Sequence, residues 1–231
     1  MTDVYDPANP PMLQLGEVSV SLPEDIQLRL AEAQIASMTA AARRNNVGAR
    51  AQEHELAHFE NDQRQNSIFP FFYDVSQVSV YKTISDLDSW SRRNPGKALT
   101  VVFNSPGGEV LAGFALFDYL RELSRRGHHV TTKAVGAVAS MASILLQAGD
   151  TRVMSTNAYM MLHEPHQNIG GMASTLKDAA TFLDNLDDKG ATILSERSNL
   201  SKRQIKNLYK RRDHWLDAVA ALKAGFIDYI D

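Results

Sequence analysis

Several groups of residues in this sequence have the types and spacing that chemistry needs. Residues 54–58 read HELAH. On a helix, His54 and His58 would stand one turn apart on one face and could grip a zinc ion, with Glu55 as general base. Residues 104–108 read NSPGG, where Gly107 and Gly108 permit a sharp turn and expose backbone N–H groups to a carbonyl or a developing oxyanion. Residues 136–143 read GAVASMAS, with Ser140 set among small side chains. His163 closes the apolar run AYMMLH and is followed by Glu164 and Pro165, which stop a strand and leave an imidazole at its end.

Each group has a plainer reading. The paired glycines suit an ordinary strand-to-helix turn. Ser140 falls after a strand and before a helix, where the N–H of Met141 points outward from a helix N-terminus and favours a nucleophile, but where a serine is equally at home as a simple N-cap. A serine nucleophile needs a base: His163 is one candidate among seven histidines and His166 is its rival. The acid that would orient that base has several candidates, Asp213 among them. HELAH lacks an evident third ligand and lies in a polar arm, so a solvated helix face is its favoured reading, with no catalytic metal and no cofactor assigned.

The elements that must position these groups change character near residue 68. Before it, residues 6–11 are an extended proline-rich lead, and a helical pattern opens at Leu22 with Ser21 as cap and Ile26, Leu30, Ala33 and Met38 on one face. Residues 1–67 therefore read as a largely helical or partly disordered extension, and 68–231 as the main domain. From there, residues 75–81 are predicted as a strand, 83–93 as a helix, 98–104 as a buried strand and 110–125 as a helix. Further strands are predicted at 128–136, TRVMS and AYMMLH, with helices at about 140–148 and 174–197 and two shorter helices closing the chain. The aromatic cluster FPFFY (69–73) is predicted to be core. Repeated strand–helix–strand units with short turns imply an α/β fold with largely parallel strands, whose chemistry gathers where strands end and helices begin.

Composition sets outer limits. The chain has 231 residues, 44% of them hydrophobic, enough for one substantial core. A formal net charge of −3 gives no footprint for nucleic acid. Cysteine is absent, which excludes disulfides, zinc–thiolate sites and a cysteine nucleophile. No signal-like start or long apolar run appears, so a soluble, cytoplasmic protein without a membrane partner is expected.

Taken in order, NSPGG, an apolar helix, G-x-x-A-S-M-A at 136–142, M-x-H-x-P at 161–165 and D-x-x-L-x-A-x-x-A-x-x-x-G-x-I-D at 213–228 resemble the ClpP family of serine peptidases over about residues 68–231. The resemblance implies a ClpP/crotonase-type fold of stacked β-α-β units with a long handle helix at 174–197. It implies a triad in which Ser140 attacks the scissile carbonyl, His163 carries the proton and Asp213 holds the imidazole, with the N–H groups of Gly108 and Met141 as oxyanion hole. A peptide or unfolded-protein substrate would lie as an added strand between Glu109, Val110 and Leu111 on one side and Gln167, Asn168, Ile169 and Gly170 on the other. The family further implies a self-compartmentalised homo-oligomer, a heptamer or tetradecamer, and an AAA+ unfoldase as candidate partner. The first third of the chain departs from the family, which makes a stand-alone phage-type maturation protease a second form of the reading. The alternatives are a non-catalytic ring or scaffold subunit and a crotonase-type acyl-CoA enzyme. With an ordinary histidine as base, activity should fall below about pH 6–7.

Overall fold

The computed structural model describes residues 67–231. The helical pattern from Leu22 and the HELAH segment lie outside the described residues. The elements run β1 (Ile68–Phe71), α1 (Gln77–Arg93), β2 (Leu99–Ser105), α2 (Val110–Arg125), β3 (Val130–Ala139), α3 (Met141–Leu146), β4 (Thr151–Met154), β5 (Tyr159–Leu162), α4 (Ala173–Glu196), α5 (Lys202–Tyr209), β6 (His214–Asp217), α6 (Ala218–Ala224) and β7 (Tyr229–Ile230). This is the mixed α/β fold that alternation of strand and helix predicts. One parallel sheet runs β1-β2-β3-β4-β7, with β5 also paired to β3 and β6 paired antiparallel to β5.

Two differences from the sequence reading have physical causes. Residues 75–81 are not a strand; α1 begins inside them. Ser76 accepts from the N–H of Ser79 at 3.2 Å while the Ser79 hydroxyl accepts from the N–H of Ser76 at 3.0 Å, a reciprocal cap that starts the helix. Val80, Thr83, Leu87 and Trp90 then fall at helical spacing and are buried, whereas Val78 and Tyr81 face outward. The β-branched residues imitate a strand, but the capping serines and the 3.6-residue period decide the outcome. The strand lies earlier instead, at β1, and it divides the aromatic cluster: Phe69 and Phe71 enter the core, while Phe72 and Tyr73 are exposed.

Strand β3 serves two neighbours in turn. Residues 131–134 pair with β4, and 137–139 pair with β5. Between them Gly136 takes φ 59°, and a Cβ there would come within 2.8 Å of Asn104 Oδ1. That oxygen accepts from the N–H of Ala137 at 3.2 Å, filling the place of a ladder bond while the β2–β3 register shifts. The bend frees the end of β3 to meet β5, and this meeting builds the site.

The core lies between the sheet and α2, where Leu116, Leu120 and Leu123 are fully buried, and between the sheet and α3, where Leu145 and Leu146 are too. An ionic knot centred on the buried guanidinium of Arg152 ties the late elements together. Arg152 on β4 bonds Asp228 twice, Nη2 to Oδ1 at 2.6 Å and Nε to Oδ2 at 3.1 Å. Its Nη1 also donates to Gln147 Oε1 and the Gly225 carbonyl, each at 2.9 Å, and to the carbonyl of Arg197. The end of α3, the end of α4, the turn after α6 and the approach to β7 therefore share one guanidinium. Among the described residues no helix is long and apolar enough to cross a membrane.

Candidate active site

Ser140 directly follows β3 and precedes α3, and the last rungs of β3 against β5 fix what stands beside it. Val138 pairs with Met160 and Ala139 with Met161, and the Ser140 N–H donates to the Met161 carbonyl at 2.9 Å. His163, just past the end of β5, is thereby the next side chain to reach the serine. The Ser140 hydroxyl and His163 Nε2 are 2.6 Å apart. Ser140 takes φ 55°, rare for a residue with a side chain, and its hydroxyl makes no capping bond to α3. A backbone cost of this kind, of order 1–3 kcal/mol, persists where surrounding contacts over-determine it. The simple N-cap reading of Ser140 does not describe this geometry.

A second serine secures the turn. Ser143 is fully buried, and its hydroxyl lies 2.7 Å from the Met161 carbonyl and 3.0 Å from that of Val138. It thus clamps the ends of β3 and β5, which carry Ser140 and His163. Sequence reasoning passed over it; a hydroxyl inside an otherwise apolar short helix is the signal that marks it.

Asp213 reaches the imidazole through β6. In the antiparallel β5–β6 ladder Met161 pairs with Trp215 and Leu162 with His214. One more step along this register sets Asp213 opposite His163, with Asp213 Oδ1 3.7 Å from His163 Nδ1. That is ion-pair range for a protonated imidazole and longer than a hydrogen bond. Asp213 is the more open partner, its side chain 61% exposed against 18% for His163. The rival His166 stacks edge-on against His163, ring centroids 5.3 Å apart, while the Ser140 hydroxyl meets the imidazole of His163. Burial holds the His163 pKa below the ordinary histidine value; Asp213 opposes this shift and His166 adds to it.

The paired glycines sit against the serine turn. Gly107 has φ 93°, and a Cβ on it would lie 2.5 Å from the Ala139 carbonyl and 2.8 Å from the Met141 nitrogen. Gly108 has φ 145°, and a Cβ there would fall 2.2 Å from the Val75 carbonyl. Val75 forms a parallel bridge here, its N–H donating to the Gly107 carbonyl at 2.7 Å and its carbonyl accepting from Glu109 at 2.8 Å. Because hydrogen bonding alternates along an extended chain, the N–H of Gly108 lies on the opposite edge from this bridge. Met141 opens α3, so its N–H has no carbonyl within the helix. Gly108 and Ser140 line the same cleft, and Gly107 packs directly against Ser140 Cβ and the Met141 nitrogen, so two N–H groups without helix or bridge duties lie in the neighbourhood of the serine turn.

A cleft lined by Glu109, Val110, Leu111 and Gln167 runs past Ser140 and His163. The structure brings these predicted substrate residues together, while Asn168, Ile169 and Gly170 continue as exposed chain outside the lining. One side of the expected strand pair differs in form. Val110 and Leu111 are the first residues of α2, so that wall offers the unpaired N–H groups of a helix start rather than a strand edge. Among the described residues no three histidine, aspartate or glutamate side chains converge on a metal position. His54 and His58 lie outside the described residues.

Residues 61–231 match the model of the Clp protease family. The chain is 36% identical over 129 residues to the ATP-dependent Clp protease proteolytic subunit 1 of Leifsonia xyli subsp. xyli, covering 55% of this chain and 64% of that protein. It is 36% identical over 139 residues to the ATP-dependent Clp protease proteolytic subunit of Porphyromonas gingivalis, covering 59% of this chain and 61% of the relative. Subunit 2 from Tropheryma whipplei is 32% identical over 139 residues, covering 59% of this chain and 75% of its own length. The chain thus spans a little under two thirds of the length of the first two relatives.

Proposed function

The chain belongs to the Clp protease family, and from that premise we propose that it is a serine endopeptidase working through Ser140, His163 and Asp213. The observation that carries the reading is the 2.6 Å contact between the Ser140 hydroxyl and His163 Nε2, held at a strained turn beside the glycine pair. His163 takes the hydroxyl proton as Ser140 Oγ bonds to the scissile carbonyl carbon. The carbonyl oxygen becomes an oxyanion, received by the N–H groups of Gly108 and Met141. His163 then returns the proton to the departing amine, the C–N bond breaks, and an acyl-serine remains. Water repeats the sequence, giving up its proton to His163 and releasing the acid product with Ser140 restored. Asp213 acts when the imidazole is charged: closing the 3.7 Å gap by less than about 1 Å brings it into hydrogen-bonding range.

The same reading includes a homo-oligomeric ring, an unfolded-protein or peptide substrate, a cytoplasmic setting, and an ATPase partner of the kind that the relatives' names imply. The outer part of α4 supports assembly: Leu176 and Phe182 are 42% and 47% exposed, and burial along this helix begins only at Leu186. A crotonase-type enzyme has no need of a serine bonded to a histidine, which favours peptidase chemistry.

Incubating the full chain with a fluorophosphonate should label Ser140, with the modified peptide identified by mass spectrometry. Absence of labelling in a folded, assembled sample would count against the peptidase reading, and native mass measurement checks the assembly separately.

The base also predicts a pH profile. His163 works as neutral imidazole, and burial together with His166 depresses its pKa. Activity is therefore retained below the ordinary histidine value of about 6.5 and lost only as pH falls through the lower folded value, somewhat further into acid than an unperturbed histidine would allow. His166→Ala should move this acid limb upward. A limb in kcat/KM centred near pH 7 or above would remove His163, as found in this environment, from the role of base.

A further inference from the structure

Asp213 lies between a turn and a strand. Its side chain is more open than that of His163, so burial does not fix it, and the β5–β6 ladder takes hold only at the next residue, His214. Upstream, residues 209–212 form a tight turn: the Arg212 N–H donates to the Tyr209 carbonyl at 3.1 Å, and Arg212 Nε donates to the Leu208 carbonyl at 2.8 Å. Lys210 takes φ −53° and ψ 112°, and Arg211 takes φ 58°, as in a type II turn, whose third residue is ordinarily glycine. An arginine there carries a backbone cost, so the turn must be held by its surroundings.

The hold comes from Asp187 on α4. The Tyr209 hydroxyl donates to Asp187 Oδ1 at 2.8 Å, and Lys206 Nζ, one turn earlier on α5, lies 2.8 Å from Oδ2. Tyr209 is buried, and burial together with Asp187 pushes its hydroxyl pKa well above the ordinary tyrosine value, so it stays a donor. One carboxylate thus pins the end of α5 at the residue that opens the turn. We propose that Tyr209, through its bond to Asp187, is a positioning residue for Asp213: it fixes the turn that sets this carboxylate opposite His163. The proposal rests on the peptidase reading above. Asp213 already stands 3.7 Å from His163 Nδ1, beyond hydrogen-bonding range, so a further small displacement of the turn would cost the imidazolium its support.

Tyr209→Phe removes the hydroxyl and keeps the ring in the core, while Asp213→Ala removes the group through which that hydroxyl acts. The two variants, their combination and the native full chain are compared by the rate of serine labelling with a small fluorophosphonate, measured across pH. Asp213 from β6 and His166 from the chain after β5 are the two groups whose charge shifts the His163 imidazole, and only Asp213 raises its pKa. Tyr209→Phe should therefore lower the labelling rate about tenfold and move its acid limb to lower pH. Asp213→Ala should lower the rate at least about a hundredfold, and adding Tyr209→Phe should then change it by no more than about a factor of two. A tyrosine that merely stabilised the fold would leave the limb in place, and its effect would multiply with that of Asp213→Ala. An unchanged rate or an unmoved limb in Tyr209→Phe, or a further loss of about tenfold in the double variant, would overturn the proposal and leave the peptidase reading intact. No labelling of the native chain would overturn both.

Discussion

Ser140→Ala is expected to abolish peptide hydrolysis, lowering kcat by roughly a million-fold, because nucleophile and base act as one unit and little remains when either is removed. The fold should survive, since the Ser140 hydroxyl caps no helix and its hydrogen-bond partner within the structure is the imidazole. Alanine inherits the same φ of 55°, so the backbone cost at this position remains. Ser140→Gly removes the Cβ that makes that φ costly and should stabilise the chain by about 1 kcal/mol while being just as inactive. Thermal melts beside hydrolysis assays separate the effects. Retention of more than about a tenth of native hydrolysis by Ser140→Ala would take this residue out of the mechanism. A glycine variant less stable than the alanine one would show that the turn is not strained.

The second large effect is on stability and lies away from the catalytic groups. Arg152→Met should destabilise the fold by about 3 kcal/mol, at the low end of the range for breaking a buried pair by removing one partner. The low end applies because Asp228 is partly open, 34% exposed in its side chain, and keeps its bond from the Arg152 backbone N–H at 2.8 Å. The loss also strands acceptors: Gln147 Oε1 and the carbonyls of Arg197 and Gly225 each lose the donor that Nη1 supplied. A denaturant midpoint shift equivalent to less than about 1 kcal/mol, with an unchanged slope, would contradict this account.

How much was legible in the sequence depended on whether the cause was local. Helix α2 matches its predicted span, residues 110–125, because its apolar period lies within the segment itself, even though Glu109 ahead of it makes no side-chain capping bond. The face was less legible: Leu111, an apolar residue at helical spacing with Phe114, is 62% exposed and borders the cleft instead of the core. Ser140 and His163 were readable as ends of elements, yet their contact depends on the β3–β5 register, which is a pairing across some twenty residues of chain, and on the bend at Gly136. Asp213 was least determined by the residues alone. His214–Asp217 is a strand of four residues with no alternation strong enough to announce it, and its partner β5 is far away in sequence. Likeness to the family, not local pattern, singled out that aspartate. Leu176 and Phe182 carry helical apolar spacing as a core-facing helix would, but their exposure shows that spacing reports a sticky face without saying what covers it.

The short strand β6 has a consequence for how the site tolerates error. Along Arg211-Arg212-Asp213-His214 the acid is the single anion in a row of basic side chains. Sliding β6 by one residue in either direction against β5 would bring Arg212 or His214 opposite His163 in its place. A guanidinium there discourages the charged imidazole that the proposed reaction forms, and His214, its own pKa held below the ordinary histidine value by burial and Arg212, supplies no anion to support it, so a misaligned strand would weaken the proposed chemistry even with every residue present. Under the proposed mechanism, local charge order therefore ties activity to correct alignment of this one short strand.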